Sequence, residues 1–142
     1  MSGQPAAPEH PFLARRPYVR PSLNQARIVD LPGVALPDDV RGRLGYELLG
    51  AAGLAARLRR QFPALRNAAQ PLRAFDAYLA PGHPRQAAAL AEAARYGRAL
   101  GYLLLMLKRG DAVNRVVRRD WGPAHWAFWR GIRCVVVGGG LV

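Results

Sequence analysis

The segment from Pro84 to Lys108 constrains the fold of this chain more than any other. Leu90, Ala94, Gly97, Gly101 and Leu104 recur at spacings of four, three, four and three, which is one stripe of an α-helix. Past Leu100, the residues Leu103, Leu105, Met106 and Leu107 make the segment apolar almost all round, so that half is expected to be buried on several sides. Pro84 suits a first helical turn, Lys108 and Arg109 suit the negative end, and Gly110 can take the left-handed stop conformation. An interior glycine costs a helix about 1 kcal/mol relative to alanine. Gly97 and Gly101 on one stripe therefore predict another backbone, of a sheet or a helix, packed closely against it.

The rest of the chain reads as one domain built around that helix. With 142 residues there is room for a single modest core. Residues 1–26 carry Pro5, Pro8, Pro11, Pro17 and Pro21 and are expected to be a flexible, Pro/Arg-rich segment, leaving 27–142 as the folded domain. "RIVDLP" reads as a short strand or an ordered extended segment. Asp38 and Asp39 after Pro37 are expected to cap a helix bearing Val40, Leu44 and Leu48, which Gly50 and Gly53 would break. A second helix near Leu54 would carry Leu58 and Phe62 inward and Arg57, Arg59 and Arg60 largely outward, and Pro63 would stop it. "PLRAFDAYLAPG" gives a weaker helical stretch, "DAVNRVVRRD" a polar connection, and Pro123 opens a short helix with Trp126 and Trp129. Cys134 to Val137, short, apolar and β-branched, is expected to be a fully buried strand. The predicted class is mainly α with a short C-terminal β element.

That strand runs into Gly138, Gly139 and Gly140. Three consecutive glycines cost about 2 kcal/mol of backbone entropy, so a site there would need unusual dihedrals or close approach of a ligand; a flexible tail is the alternative. No G-x-x-x-x-G-K-[ST] phosphate loop is present, while Gly138 and Gly140 match the opening of G-x-G-x-x-G. The helix "LAEAARYGRALGYLLLMLKRG", a connection, and the strand and turn "CVVVGGGLV" together resemble the second domain of ROK-type sugar kinases and their actin-like ATPase relatives, over about residues 86–142. The resemblance implies an incomplete piece of an α/β actin-like (ribonuclease H-like) domain. Gly138, Gly139 and Gly140 would then be nucleotide-contacting backbone on the adenosine side. It further implies ATP with Mg as cofactor in a complete protein, none for this chain alone, and the remainder of a larger domain or a homo-oligomer as partner. The family's acidic–glycine–threonine phosphate loop and its "G-x-D" base are not found, so the element is expected to be inactive by itself, sugar-kinase-like or ATPase-like only within a longer protein.

Charge opens a second reading. Lysine and arginine total 21 against 9 acidic residues, a net charge of +12, with Lys108 the only lysine. Such a surplus favours nucleic acid or other polyanions, although a GC-rich coding sequence would also enrich arginine. Arg115, Arg118, Arg119, Trp121, Trp126 and Trp129, with Phe128, Arg130 and Arg133 nearby, are the candidate nucleic-acid or partner contacts. Arginine with aromatics can grip single strands by stacking, or can cover a core with guanidinium groups on indole faces. A third reading is a non-catalytic protein-interaction domain. Cys134 cannot form an internal disulfide, and His10, His83 and His125 lack partners at metal-ligand spacing, so no metal is expected. Ser2 and Ser22 are the only serines and support no nucleophilic set. No secretory signal or membrane-length apolar run is found, and a cytoplasmic setting is expected.

Overall fold

Residues 86–109 contain no β-branched side chain and are rich in alanine and leucine, the residues that lose least freedom in a helix. They form the long helix at the centre of the computed structural model, which describes residues 10–13 and 22–137. In chain order the helices are α1 (Gly45–Leu49), α2 (Ala51–Gln61), α3 (Pro71–Asp76), α4 (Gln86–Arg109), α5 (Ala112–Arg115) and α6 (Pro123–Gly131). Short 3-10 turns cover Leu23–Gln25, Pro63–Leu65 and Ala77–Leu79. At 1.5 Å per residue α4 is about 36 Å long, and Gly110 ends it with φ 56° and its N–H on the carbonyl of Met106.

Two hydrophobic clusters share this spine. Leu103, Met106 and Leu107 of α4 meet Ile28, Leu31, Val40 and Leu48, and Trp121 and Trp126 close that cluster. Ala89, nearer the start of α4, meets Leu58, Phe62, Leu65 and Phe75. The segment "RIVDLP" is ordered and extended, with an isolated antiparallel bridge between Arg27 and Leu44. Buried Asn114 fastens it: Oδ1 accepts from the N–H groups of Val29 (2.8 Å) and Asp30 (3.3 Å), and Nδ2 donates to the carbonyl of Asp30 (2.7 Å). Gly45 is required by close approach, since a Cβ there would lie 2.2 Å from the carbonyl oxygen of Leu23.

Several sequence expectations are corrected. No helix starts at Asp38. Residues 38–42 form a turn in which the N–H groups of Val40 and Arg41 meet the carbonyl of Pro37, and Gly42 (φ 74°) returns the chain to pair with Ile28. That turn lets buried Val40 reach the core, and regular helix begins only at Gly45. Gly50 separates α1 from α2, whereas Gly53 lies inside α2. The polar connection contains α5, and Phe12, inside the segment expected to be flexible, is buried against Trp121 and Phe128 with ring centroids 5.4 Å apart in each case.

The buried face of α4 is also not the predicted one. Ala89, Glu92, Ala99, Leu103, Met106 and Leu107 point inward, while Gly97 and Gly101 have nothing within 4 Å of a Cβ and Leu90 is 52% exposed. Between two apolar faces, the one with the bulkier side chains takes the core, because it removes more area from water. Cys134–Val137 is not a buried strand: Cys134 is exposed, Val136 is 88% exposed, and no ladder partner exists among the described residues. A strand needs a neighbour to satisfy its backbone. The described residues are therefore mainly helical, without the sheet that an actin-like piece would contribute. Gly138, Gly139 and Gly140 lie outside the described residues.

The open space beside Gly97 and Gly101 gives a signed prediction. Gly97→Ala and Gly101→Ala should each raise unfolding free energy in urea by about 0.5–1 kcal/mol. Gly45→Ala should lower it by roughly 1–3 kcal/mol, because backbone must move to admit the methyl group. Destabilisation by either outward-facing substitution would contradict the orientation of α4.

Candidate binding groove

Alanine holds a helix together yet contributes little bulk, and it is concentrated on the two helices that face each other across one side of the molecule. Residues 51, 52, 55 and 56 of α2 are alanine, as are residues 87–89, 91, 93 and 94 of α4. Ala51, Ala55 and Ala93 leave space on one side that larger side chains would have filled. A groove of about 750 Å³ results, with Ala55 and Leu54 of α2 on one wall, Leu72 and Phe75 of α3 below, and Ala93 and Tyr96 of α4 opposite. Pro71 starts α3 at a position where it needs no N–H, so the floor is set by local sequence.

Glu92 stands at the groove, with its side chain only 6% exposed. Arg57 Nε of α2 donates to its Oε1, and Arg95 Nη1 lies 3.8 Å from the same oxygen. Both guanidinium groups also reach Asp39: Arg95 Nε donates to Oδ2 at 2.8 Å, and Arg57 Nη1 is 3.8 Å away. The Arg95 hydrogen bond holds the Asp39 carboxyl below its usual value of 3.8, against the opposing effect of burial, with the two nearby guanidinium charges adding to the depression. Tyr96 donates its hydroxyl to the carbonyl of Leu49 at 2.9 Å, and burial raises the pKa of that phenol. Leu54 and Tyr96 separate the apolar groove from a second hollow of about 430 Å³ lined by Arg43, Arg57, Arg60 and Arg95.

Three of the polar groups at the groove are engaged with the protein itself. Glu92 is held by two arginines, Tyr96 by a carbonyl, and Arg59 Nη2 donates to the carbonyl of Ala68 at 3.2 Å. Such a site is built to hold an apolar surface rather than to move protons. Among the described residues, no cluster of three or more His, Cys, Asp or Glu side chains could hold a metal, and no helix is long and apolar enough to cross a membrane.

The arginine–tryptophan set is brought together, but as a core lid. Trp121 and Trp126 are buried, and Trp129 is partly buried and stacked on Trp121 at 5.9 Å. Arg118 is 4% exposed, lies 4.5 Å from the Trp121 ring centroid and pairs with Asp120 at 3.0 Å; burial lowers its pKa and Asp120 opposes that shift. Arg115 Nε donates to the carbonyl of Gly110, with its guanidinium 5.8 Å from Trp126, while Arg119 is exposed. The buried Trp121 and Trp126 faces are not free to stack on bases. His125 is structural as well, accepting from the N–H of Gly122 at Nδ1 and meeting the carbonyl of Pro11 at Nε2 (3.1 Å).

Six carboxylates among the described residues (Asp30, Asp39, Glu47, Glu92, Asp111 and Asp120) pair with arginine. No described carboxylate lies within ion-pair distance of Arg59, Arg60, Arg66 or Arg73, which belong to α2, α3 and the segment between them. The groove was missed by sequence reasoning, although two signals bear on it: small residues such as Ala55 and Ala93 on its walls, and Glu92 as the one acid within α4. No protein-family model matches this chain, and neither a curated protein nor a solved structure matches it significantly.

The ion cluster carries a mutational and a pH signature. Glu92→Ala should destabilise the fold by roughly 3 kcal/mol, because it strips two partly buried arginines of a shared partner. The depressed Asp39 carboxyl contributes stability that is present above its unfolded value and lost as pH falls through the lower folded one. Asp39→Asn should therefore be less stable than the wild type near neutrality, and the deficit should close below pH 3.8 in urea unfolding. A deficit unchanged across that range would contradict the assignment.

Proposed function

We propose that this chain is a non-catalytic interaction domain that receives an apolar surface in the groove between α2, α3 and α4. The observation that carries the reading is the groove itself: about 750 Å³, walled by leucine, alanine and phenylalanine, with Glu92 and Tyr96 already engaged by the protein. Its volume falls in the range of about 300–1,000 Å³ typical of binding sites. The indole faces of Trp121 and Trp126 are in the core, which leaves a nucleic-acid reading with charge alone and no stacking platform there.

A second reading has one observation in its favour. Val135, Val136 and Val137 are exposed, and nothing among the described residues pairs with them as a strand. A β-branched run left unpaired is what a partial nucleotide-binding, actin-like element would show when separated from its sheet, with Gly138–Gly140 as the nucleotide contact and ATP with Mg as the ligand of the complete protein. Amide hydrogen exchange at residues 134–137 tests it. Protection in this chain alone counts against it.

The groove is tested with 1-anilinonaphthalene-8-sulfonate, a dye that brightens in apolar sites. Wild-type protein should enhance its emission, and Ala55→Arg and Ala93→Arg should each reduce the enhancement at least about fivefold while circular dichroism stays unchanged. Gly101→Arg, on the outer face of α4, should leave the signal intact. Equal emission from all four proteins would remove the groove as the binding site.

A further inference from the structure

Resting on that interaction-domain reading, we propose that the occupant of the groove is an amphipathic helix of a partner protein, with acidic residues flanking its apolar face. Three helices form a trough rather than a closed chamber, and its walls carry apolar side chains at helical spacing, such as Ala51, Leu54 and Ala55 along α2. This is the shape into which a helix lays anchors spaced at i, i+3, i+4 and i+7. Strand addition is not available there, because the elements around the trough are helices and turns with no sheet edge.

Charge decides the flanks. Arg59 and Arg73 line the trough, Arg60 lines the adjoining hollow, and Arg66 lies on the connection from α2 to α3. None of the four has a carboxylate partner among the described residues. Arg59 gives one N–H to Ala68, and a guanidinium has five to offer. Of the acids lining the trough, Glu92 is neutralised by Arg57 and Arg95, leaving Asp76 as the one carboxylate that a partner would meet unpaired. An acidic flank therefore finds waiting donors, whereas a basic flank meets like charge. The +12 net charge acts in the same sense at long range, steering acidic partners toward the surface. The apolar walls present few groups to read base edges, and this favours a peptide over nucleic acid.

The test uses three fluorescein-labelled helical peptides of ~18 residues. They share one leucine face and carry glutamate, glutamine or lysine on the flanks, and fluorescence anisotropy is read at about 0.05 M and 0.3 M salt. The glutamate peptide should bind at micromolar concentration, the glutamine peptide about tenfold more weakly, and the lysine peptide not detectably. High salt should narrow the gap between the first two. Ala93→Arg should abolish binding, and the Arg59→Glu/Arg73→Glu pair should reverse the order of preference with α-helix content unchanged.

Equal affinity for the glutamate and glutamine peptides would overturn the acidic-flank inference while leaving the groove reading in place. Failure of all three peptides, with the dye still bound in the groove, would overturn the helical occupant alone. Binding unaffected by Ala93→Arg would remove the groove as well. A ~20-nucleotide single-stranded DNA that binds more tightly than every peptide, and is indifferent to Ala93→Arg, would replace the proposal with an electrostatic nucleic-acid module.

Discussion

A single buried carboxylate, Glu92, bridges the two long helices beside the apolar cluster that Leu58 and Ala89 share. A charged group this far from water persists only when its partners satisfy it. Arg57 supplies that from α2 and Arg95 from the next turn of α4, and both arginines share Asp39 on the turn that precedes α1. One cluster thus ties together three parts of the chain that are distant in sequence. It does so with long side chains, and Leu58 and Ala89 of the same two helices share a buried apolar cluster. Joined in this way, α2 and α4 wall a space lined by Ala51, Ala55 and Ala93.

The opposite end of the molecule is organised by different forces. There the C-terminal half of α4 is covered by Ile28, Leu31 and the indoles of Trp121 and Trp126, and the Arg115 and buried Arg118 guanidinium groups lie against those indoles. Asn114 satisfies three backbone groups of the extended segment that crosses this core. The larger apolar groove lies at the other end, between α2, α3 and α4. Unpaired arginines around that opening give it a sign as well as a shape.

Local signals in the sequence were the legible ones. The long helix, its left-handed stop at Gly110, the end of α2 before Pro63 and the start of α6 at Pro123 all follow from propensity and capping, which act within a few residues. Choices that depend on distant parts of the chain were not legible. Which apolar face of α4 turns inward depends on the bulk of what meets it and on the partners of Glu92, and neither is written in the helix's own period. The "CVVV" run has strong strand propensity, but pairing requires a neighbour that the described residues do not provide. Phe12 sits in a proline-rich stretch with no period, and only the aromatic pocket formed by Trp121 and Phe128 orders it. The groove was hidden for a related reason: it is made by side chains too small to fill the space, and pattern reading looks for those that do.

A double-mutant cycle measures the bond between Arg57 and Glu92 directly. Urea unfolding of the wild type, Arg57→Ala, Glu92→Ala and the double variant should give a coupling energy of roughly 1–3 kcal/mol. A coupling within about 0.3 kcal/mol of zero would mean that this contact does not join the two helices, contradicting the role given to Glu92.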